Sequence, residues 1–142
     1  MHVPDTPRAI HEVFRVLKPG GEFGIMLYNR DSVLYWYFIR FIEGFLHAES
    51  RFLNPLQLAS RYTDGDKTEG NPHTWPVTEE EMKQMLQKYC SRLEFRLLGA
   101  EIDFALQEVS PLPGLARKIP LALRKATARR WGWSLWIHGT AK

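Results

Sequence analysis

Residues 2–28 read HVPDTPRAIHEVFRVLKPGGEFGIMLY, and this stretch decides the fold. Asp5 and Thr6 carry side-chain oxygens that can cap a helix, and Pro7 suits the first helical position. Apolar residues then recur at i, i+3, i+4 and i+7, which predicts an amphipathic helix of about three turns. These residues are Ile10, Val13, Phe14 and Leu17. The sequence at 19–21, Pro-Gly-Gly, ends the helix, and residues 23–27 form a short apolar run typical of a strand covered on both faces.

The same stretch resembles a block of class I S-adenosylmethionine-dependent methyltransferases, in particular the methyltransferase type 11 group. In that family a histidine-valine-proline-aspartate loop, a helix and a leucine-lysine-proline-glycine-glycine turn lead into the fifth strand of the sheet. Weaker matches follow in the expected order at residues 65–80 and 132–142. The residues that carry the first match are His2, Val3, Pro4, Asp5, Glu12, Arg15, Val16, Leu17, Lys18, Pro19, Gly20 and Gly21.

The resemblance implies an α/β fold, namely a partial Rossmann-like methyltransferase fold with flanking helices. Its three strands would be the C-terminal strands of the family, in the order 5-7-6 with the last strand antiparallel. Residues 23–27 would be strand five, the run near 93–102 strand six, and residues 133–138 strand seven. We expect one domain over 1–142, with a helical and loop insertion at about 31–76 and a basic helical segment at about 112–131.

The family's cofactor loop has no counterpart in this sequence. Class I methyltransferases hold the methyl donor with a glycine-rich loop after the first strand and an acidic residue after the second. The ten glycines here include no pair separated by a single residue, and the chain begins where the fourth strand of the family would end. We therefore expect the C-terminal part of such an enzyme, inactive by itself. Without strand four, residues 23–27 would have one unpaired edge, which favours poor stability or self-association through that edge.

The resemblance implies S-adenosylmethionine as the cofactor of the intact protein and a small molecule as the methyl acceptor. His2, Pro4 and Asp5 would occupy the loop beside the donor, with His2 as the catalytic residue that orients the acceptor or takes its proton. Tyr28 and Asn29 follow a predicted parallel strand, where α/β folds bind ligands, so we expect them to bind substrate. Structural roles are the alternatives: His2 as an ordinary loop residue, Asp5 as a helix cap and Tyr28 as packing.

Residues 33–46, VLYWYFIRFIEGFL, are apolar on nearly every side. As an α-helix they would span roughly 21 Å, which is less than the ~30 Å hydrocarbon layer of a bilayer. Such a segment packs on the sheet, walls off an apolar acceptor, or contacts a second copy or a membrane.

The charge of the chain is unevenly distributed. The net charge is +3, but no acidic residue follows Glu108, and residues 1–108 hold twelve basic against sixteen acidic residues. A rival hypothesis is therefore a non-catalytic interaction or membrane-surface module that uses residues 33–46 and the basic tail. A solvated helix face is the simpler interpretation of the tail, and we expect no nucleic-acid partner.

The remaining sequence features limit which disulfides, metal sites and cellular locations are expected. The single cysteine, Cys90, excludes an internal disulfide and a cysteine-based zinc site. We expect no metal, because the histidines show no ligand spacing. With no secretory signal visible at the N-terminus, we expect a cytoplasmic protein. The histidines considered are His11, His47, His73 and His138.

Overall fold

The structure, a computed structural model, describes residues 3–63, 73–99 and 119–142. The described part is a mixed α/β arrangement of three strands with helices, as predicted. In chain order the elements are α1 (Thr6–Val16), β1 (Glu22–Tyr28), a π-helix (Leu34–Leu46), a 3-10 helix (Glu49–Arg51), α2 (Pro55–Tyr62), α3 (Glu79–Leu86), β2 (Cys90–Leu98), α4 (Leu121–Trp131) and β3 (Ser134–Ala141).

The three strands form one sheet in the order β1-β3-β2. β3 is antiparallel to both neighbours, so β1 and β2 run parallel to each other. This is the order and orientation that the sequence predicted for its three strands. The bounds differ: β2 begins at Cys90 rather than at Leu93, and β3 continues to Ala141 rather than ending at His138. The predicted strand residues 100–102 lie outside the described residues.

Helix α1 is capped and terminated as its sequence predicts. The Arg8 N–H donates to Asp5 Oδ1 at 3.0 Å, and the backbone leaves the helix at Leu17, which is extended. Gly20 then takes a φ of +76°, a conformation that favours glycine, and lets the chain reverse into β1. The Phe14 ring meets the Phe23 ring edge to face, with centroids 5.0 Å apart, so α1 packs along β1.

The main core lies between one face of the sheet and the helices α1 and α3. Helix α3 begins with a capping box: the Glu81 N–H donates to Thr78 Oγ1 at 3.2 Å, and the Thr78 N–H donates to Glu81 Oε2 at 2.9 Å. Helix α3 ends at Leu86, and the ring of Tyr89, three residues later, packs against the core. The buried core residues are Ile10, Phe23, Leu27, Val77, Met82, Leu86, Cys90, Leu135 and Ile137.

A second core lies under the π-helix Leu34–Leu46, hereafter the aromatic helix. The expected α-helical geometry is wrong here, because the hydrogen bonds run from i+5 to i, as in His47 N–H to Ile42 O at 3.0 Å. One side of this helix is buried, and the other carries exposed aromatic side chains. The buried side packs on α2, on Tyr28 and on Trp133. Its buried residues include Leu34, Tyr35, Phe38, Ile39 and Ile42.

The basic segment predicted at 112–131 is helical where it is described, as α4, which begins directly after Pro120. Across the described ranges, no helix combines the length and the apolarity needed to cross a bilayer.

Candidate functional site

The carboxyl end of β1 is held from both sides by backbone hydrogen bonds. On one side the Asn29 N–H donates to Trp133 O at 2.6 Å, at the start of β3. On the other, the Val77 N–H donates to Tyr28 O at 2.8 Å, and the Arg30 N–H donates to Val77 O at 2.9 Å. Val77 thus forms an isolated parallel bridge on the edge of β1 that faces away from β3.

Asn29 lies at this end, and its side-chain amide makes two hydrogen bonds. The side chain is 3% exposed. Its Nδ2 donates to Gly132 O at 3.0 Å, and its Oδ1 accepts from the Asp31 N–H at 3.0 Å. The bond to Gly132 ties the end of β1 to the junction between α4 and β3, and the bond from Asp31 fixes the turn that follows β1. A substrate contact by Asn29 stays a prediction.

Tyr28 is buried and stacks on Trp133, with ring centroids 4.5 Å apart and planes 13° apart. Both rings belong to the core under the aromatic helix. Tyr28 therefore has the packing role that was its structural alternative. Substrate binding by Tyr28 stays a prediction. The structure places Trp133 in the site, although the sequence reasoning assigned it no role. The signal was the weak family match at residues 132–133.

Glycine is required at the junction that accepts the Asn29 hydrogen bond. A Cβ on Gly132 would lie 2.4 Å from the Ala128 carbonyl oxygen and 2.7 Å from Gly99 Cα. The two glycines therefore allow the last turn of α4 to approach the end of β2 closely. This close approach positions the Gly132 carbonyl oxygen for the Asn29 amide.

The loop before α1 lies toward the same end of the sheet. Helix α1 runs back along β1, so its first turn lies toward the carboxyl end of the strand. Pro4 and Asp5 are both exposed there, and the Asp5 carboxylate caps α1. Their cofactor contacts stay predictions. His2, the expected catalytic residue, lies outside the described residues.

An ion pair beside the site joins the residue after Asn29 to α3. The Arg30 guanidinium donates to Glu81 Oε1, and both side chains are about one-third exposed. Burial acts to raise the pKa of the Glu81 carboxyl, but hydrogen bonds from Thr78 and the charge of Arg30 outweigh burial and hold that pKa below its ordinary value. The ion pair therefore stabilises the fold only while Glu81 is ionised.

Replacing Glu81 by glutamine tests this ion pair through its pH dependence. Glutamine keeps a capping-box acceptor but removes the charge, so we expect a loss of about 0.5 kcal/mol at neutral pH. The folded pKa is the lower one, so the Glu81 contribution is complete above the unfolded pKa of about 4.3 and disappears as pH falls through the folded value. Urea unfolding of the wild type and Glu81→Gln should therefore converge on acidification. Glu79→Gln is the matched control, and an equal change there would contradict the assignment.

The described residues do not by themselves fit S-adenosylmethionine. The donor's ribose and methionine parts need a glycine cradle and a free carboxylate, as in other nucleotide sites. Gly20 and Gly21 end a helix instead of opening one, and the ring of Trp136 fills the space above Gly24. The Asp5 carboxylate is already a helix cap. No step of methyl transfer is therefore assigned to a residue of the described part. In that part, no cluster of three or more His, Cys, Asp or Glu side chains suits a metal ion.

A groove of about 340 Å³ lies elsewhere, between α3 and the amino-terminal half of β2. It contains Cys90, whose thiol is buried. Burial raises the pKa of Cys90, although the charge of Lys142 opposes this, so little reactive thiolate forms at neutral pH. The groove therefore offers no activated nucleophile. Its lining comprises Glu79, Lys83, Gln87, Cys90, Ser91, Arg92, Leu93 and Phe95.

No protein-family model matches this chain, and no curated protein matches it either.

Proposed function

We propose that this chain is the C-terminal part of a class I S-adenosylmethionine-dependent methyltransferase that transfers a methyl group to a small apolar acceptor. The observation that carries the proposal is the sheet order β1-β3-β2 with an antiparallel β3. The resembled family has this order at the C-terminal end of its sheet. The first of these strands follows directly from the residues 2–21 that resemble the family block.

The free edge of β1 supports the same proposal. Backbone groups of Asn29 and Gly21 bond to β3, so by alternation those of Gly24 and Met26 point away from β3. Among the described residues only Val77 bridges that edge, at its carboxyl end. A fourth strand would pair along the rest of it. In the chain alone, we propose that a second copy pairs there, since an open edge is a template for another strand.

The acceptor side of the site would be supplied by this chain. The Tyr28–Trp133 stack and the buried side of the aromatic helix form an apolar wall next to the carboxyl end of β1. Such a wall would position an apolar acceptor and exclude water from the transfer. The donor side, with its glycine-rich loop, would come from strands one to four.

The test is calorimetric titration with S-adenosylmethionine. The 142-residue chain should show no binding. The same chain joined behind strands one to four of a class I methyltransferase should bind the cofactor, because the joined protein then contains the glycine-rich loop. A joined protein whose glycine-rich loop carries valines is the matched control and should not bind. A joined protein that melts cooperatively and still fails to bind would overturn the proposal.

A further inference from the structure

The side of the aromatic helix that faces away from the second core is an exposed apolar surface. We call it the aromatic surface, and its residues are Trp36, Tyr37, Phe41, Phe45 and Leu46. Phe45 is 71% exposed and Trp36 56%. The Phe41 ring stacks on Tyr37 and on Phe45, with centroid distances of 6.1 and 5.9 Å. The rings thus form a continuous row along the helix instead of scattered apolar side chains.

The acidic side chains of the aromatic helix and of the 3-10 helix, Glu43 and Glu49, are turned toward the protein. Glu43 is 4% exposed, and its Oε2 lies 2.7 Å from His47 Nδ1. Glu49 Oε1 accepts from the Tyr62 hydroxyl at 2.6 Å. Burial, followed by the Glu49 and Glu43 carboxylates, raises the pKa of Tyr62, so this hydroxyl keeps its proton and the hydrogen bond persists.

The basic groups beside the aromatic surface have no such partners. Arg40 lies within the aromatic helix, and Arg51 lies in the 3-10 helix that packs against it. Within residues 3–63, 73–99 and 119–142, neither guanidinium forms an ion pair with a carboxylate. The exposed side of this region is therefore aromatic and positively charged.

We propose that the aromatic surface binds an anionic lipid bilayer, with its rings at the level of the acyl–headgroup boundary and Arg40 and Arg51 on the lipid phosphates. Aromatic rings flanked by cations are the composition of helices that lie in a membrane interface. A second copy is disfavoured, because a two-fold contact through this surface would bring Arg40 close to its own equivalent. This inference goes beyond methyl transfer, because binding to lipid is measured without any enzymatic activity.

The test is co-sedimentation of the full 142-residue chain with vesicles. We expect binding at low salt to vesicles of phosphatidylcholine with phosphatidylglycerol, and much weaker binding to phosphatidylcholine alone. The double variant Phe41→Ser/Phe45→Ser should bind about tenfold more weakly or worse, because the rings supply the apolar burial. Arg40→Gln/Arg51→Gln should also lose roughly thirtyfold, since each arginine contributes about 1 kcal/mol near an anionic surface.

Two matched variants on α4 are the controls. Arg129→Gln/Arg130→Gln removes the same charge from exposed positions, and Trp131→Ser removes an aromatic side chain of similar exposure to Phe41. Both should bind as the wild type does. Weaker binding in these controls with unchanged binding in Phe41→Ser/Phe45→Ser would overturn the proposal in favour of the basic helix. No wild-type binding at low salt would also overturn it, as would a dimer that Phe41→Ser/Phe45→Ser converts to a folded monomer.

Discussion

Replacing Ile137 by alanine is expected to lower the free energy of unfolding by about 2–5 kcal/mol, as for other buried branched side chains. Ile137 has no exposed surface and lies in the middle of β3, opposite Ile25 on one side and Phe95 on the other. Because β3 belongs to both ladders of the sheet, a cavity there removes contacts from both neighbouring strands. Urea unfolding followed by circular dichroism measures the loss.

Two further variants calibrate this result. Ile137→Val removes one methyl group and should cost only about 0.5–1.5 kcal/mol. His138→Ala changes the next residue, which faces the opposite side of the sheet and is partly exposed, and should cost about 0.5 kcal/mol or less. If His138→Ala were the more harmful change, the register of β3 would be shifted by one residue, and the side facing the core would be wrong.

Asn29→Asp is expected to destabilise the fold by about 3 kcal/mol or more at neutral pH, more than a neutral loss of the same bond. The substitution replaces the Nδ2 donor by a carboxylate oxygen that faces Gly132 O in a buried setting. Asn29→Ala is the neutral control, which loses both side-chain hydrogen bonds and introduces no charge, and it should cost about 1–3 kcal/mol. Urea midpoints of both variants against pH give the measurement.

The direction in which the stability of Asn29→Asp changes with pH shows whether the buried charge causes the loss of stability. The buried site and the Gly132 carbonyl oxygen that would face the new carboxylate oxygen both disfavour the charged form, and we expect them to outweigh the single Asp31 N–H donor. The new carboxyl would therefore have a folded pKa above its unfolded pKa. Its protonated form is therefore favoured by folding, and the variant should recover stability relative to Asn29→Ala as pH falls through the folded pKa. Equal stability of Asn29→Asp and the wild type at neutral pH would show that this amide does not hold the α4–β3 junction.

The local signals in the sequence predicted the local structure. Asp5 caps α1 as expected, because this bond joins residues only three apart, and the Thr78–Glu81 capping box is equally local. The apolar run at 23–27 is a strand, as expected from its short length and from the Pro-Gly-Gly sequence that ends the helix before it. The order of the three strands was expected from the family resemblance, since periodicity alone does not say which strands pair.

The long-range features could not be read from the sequence. The Asn29–Gly132 bond joins residues 103 positions apart, and the bridge through Val77 depends on where the preceding segment passes. The sequence predicts that Tyr28 and Asn29 lie at the end of a strand, because strand ends can be located from the apolar run. It does not predict their contacts with Trp133 and Gly132. The hydrogen-bond pattern of the aromatic helix was also unpredictable, since an apolar run of this length suits an α-helix equally well.

Amide hydrogen exchange in β1, resolved by residue, tests most directly whether this strand belongs inside a larger sheet. In the dilute monomer, the amides of Phe23, Ile25 and Leu27 should exchange slowly because they bond to β3, and those of Gly24 and Met26 should exchange fast. Joining strands one to four of a methyltransferase should make Gly24 and Met26 slow as well. Equally slow exchange at all five amides in the monomer would contradict the account, as would fast exchange at Gly24 and Met26 in the folded joined protein.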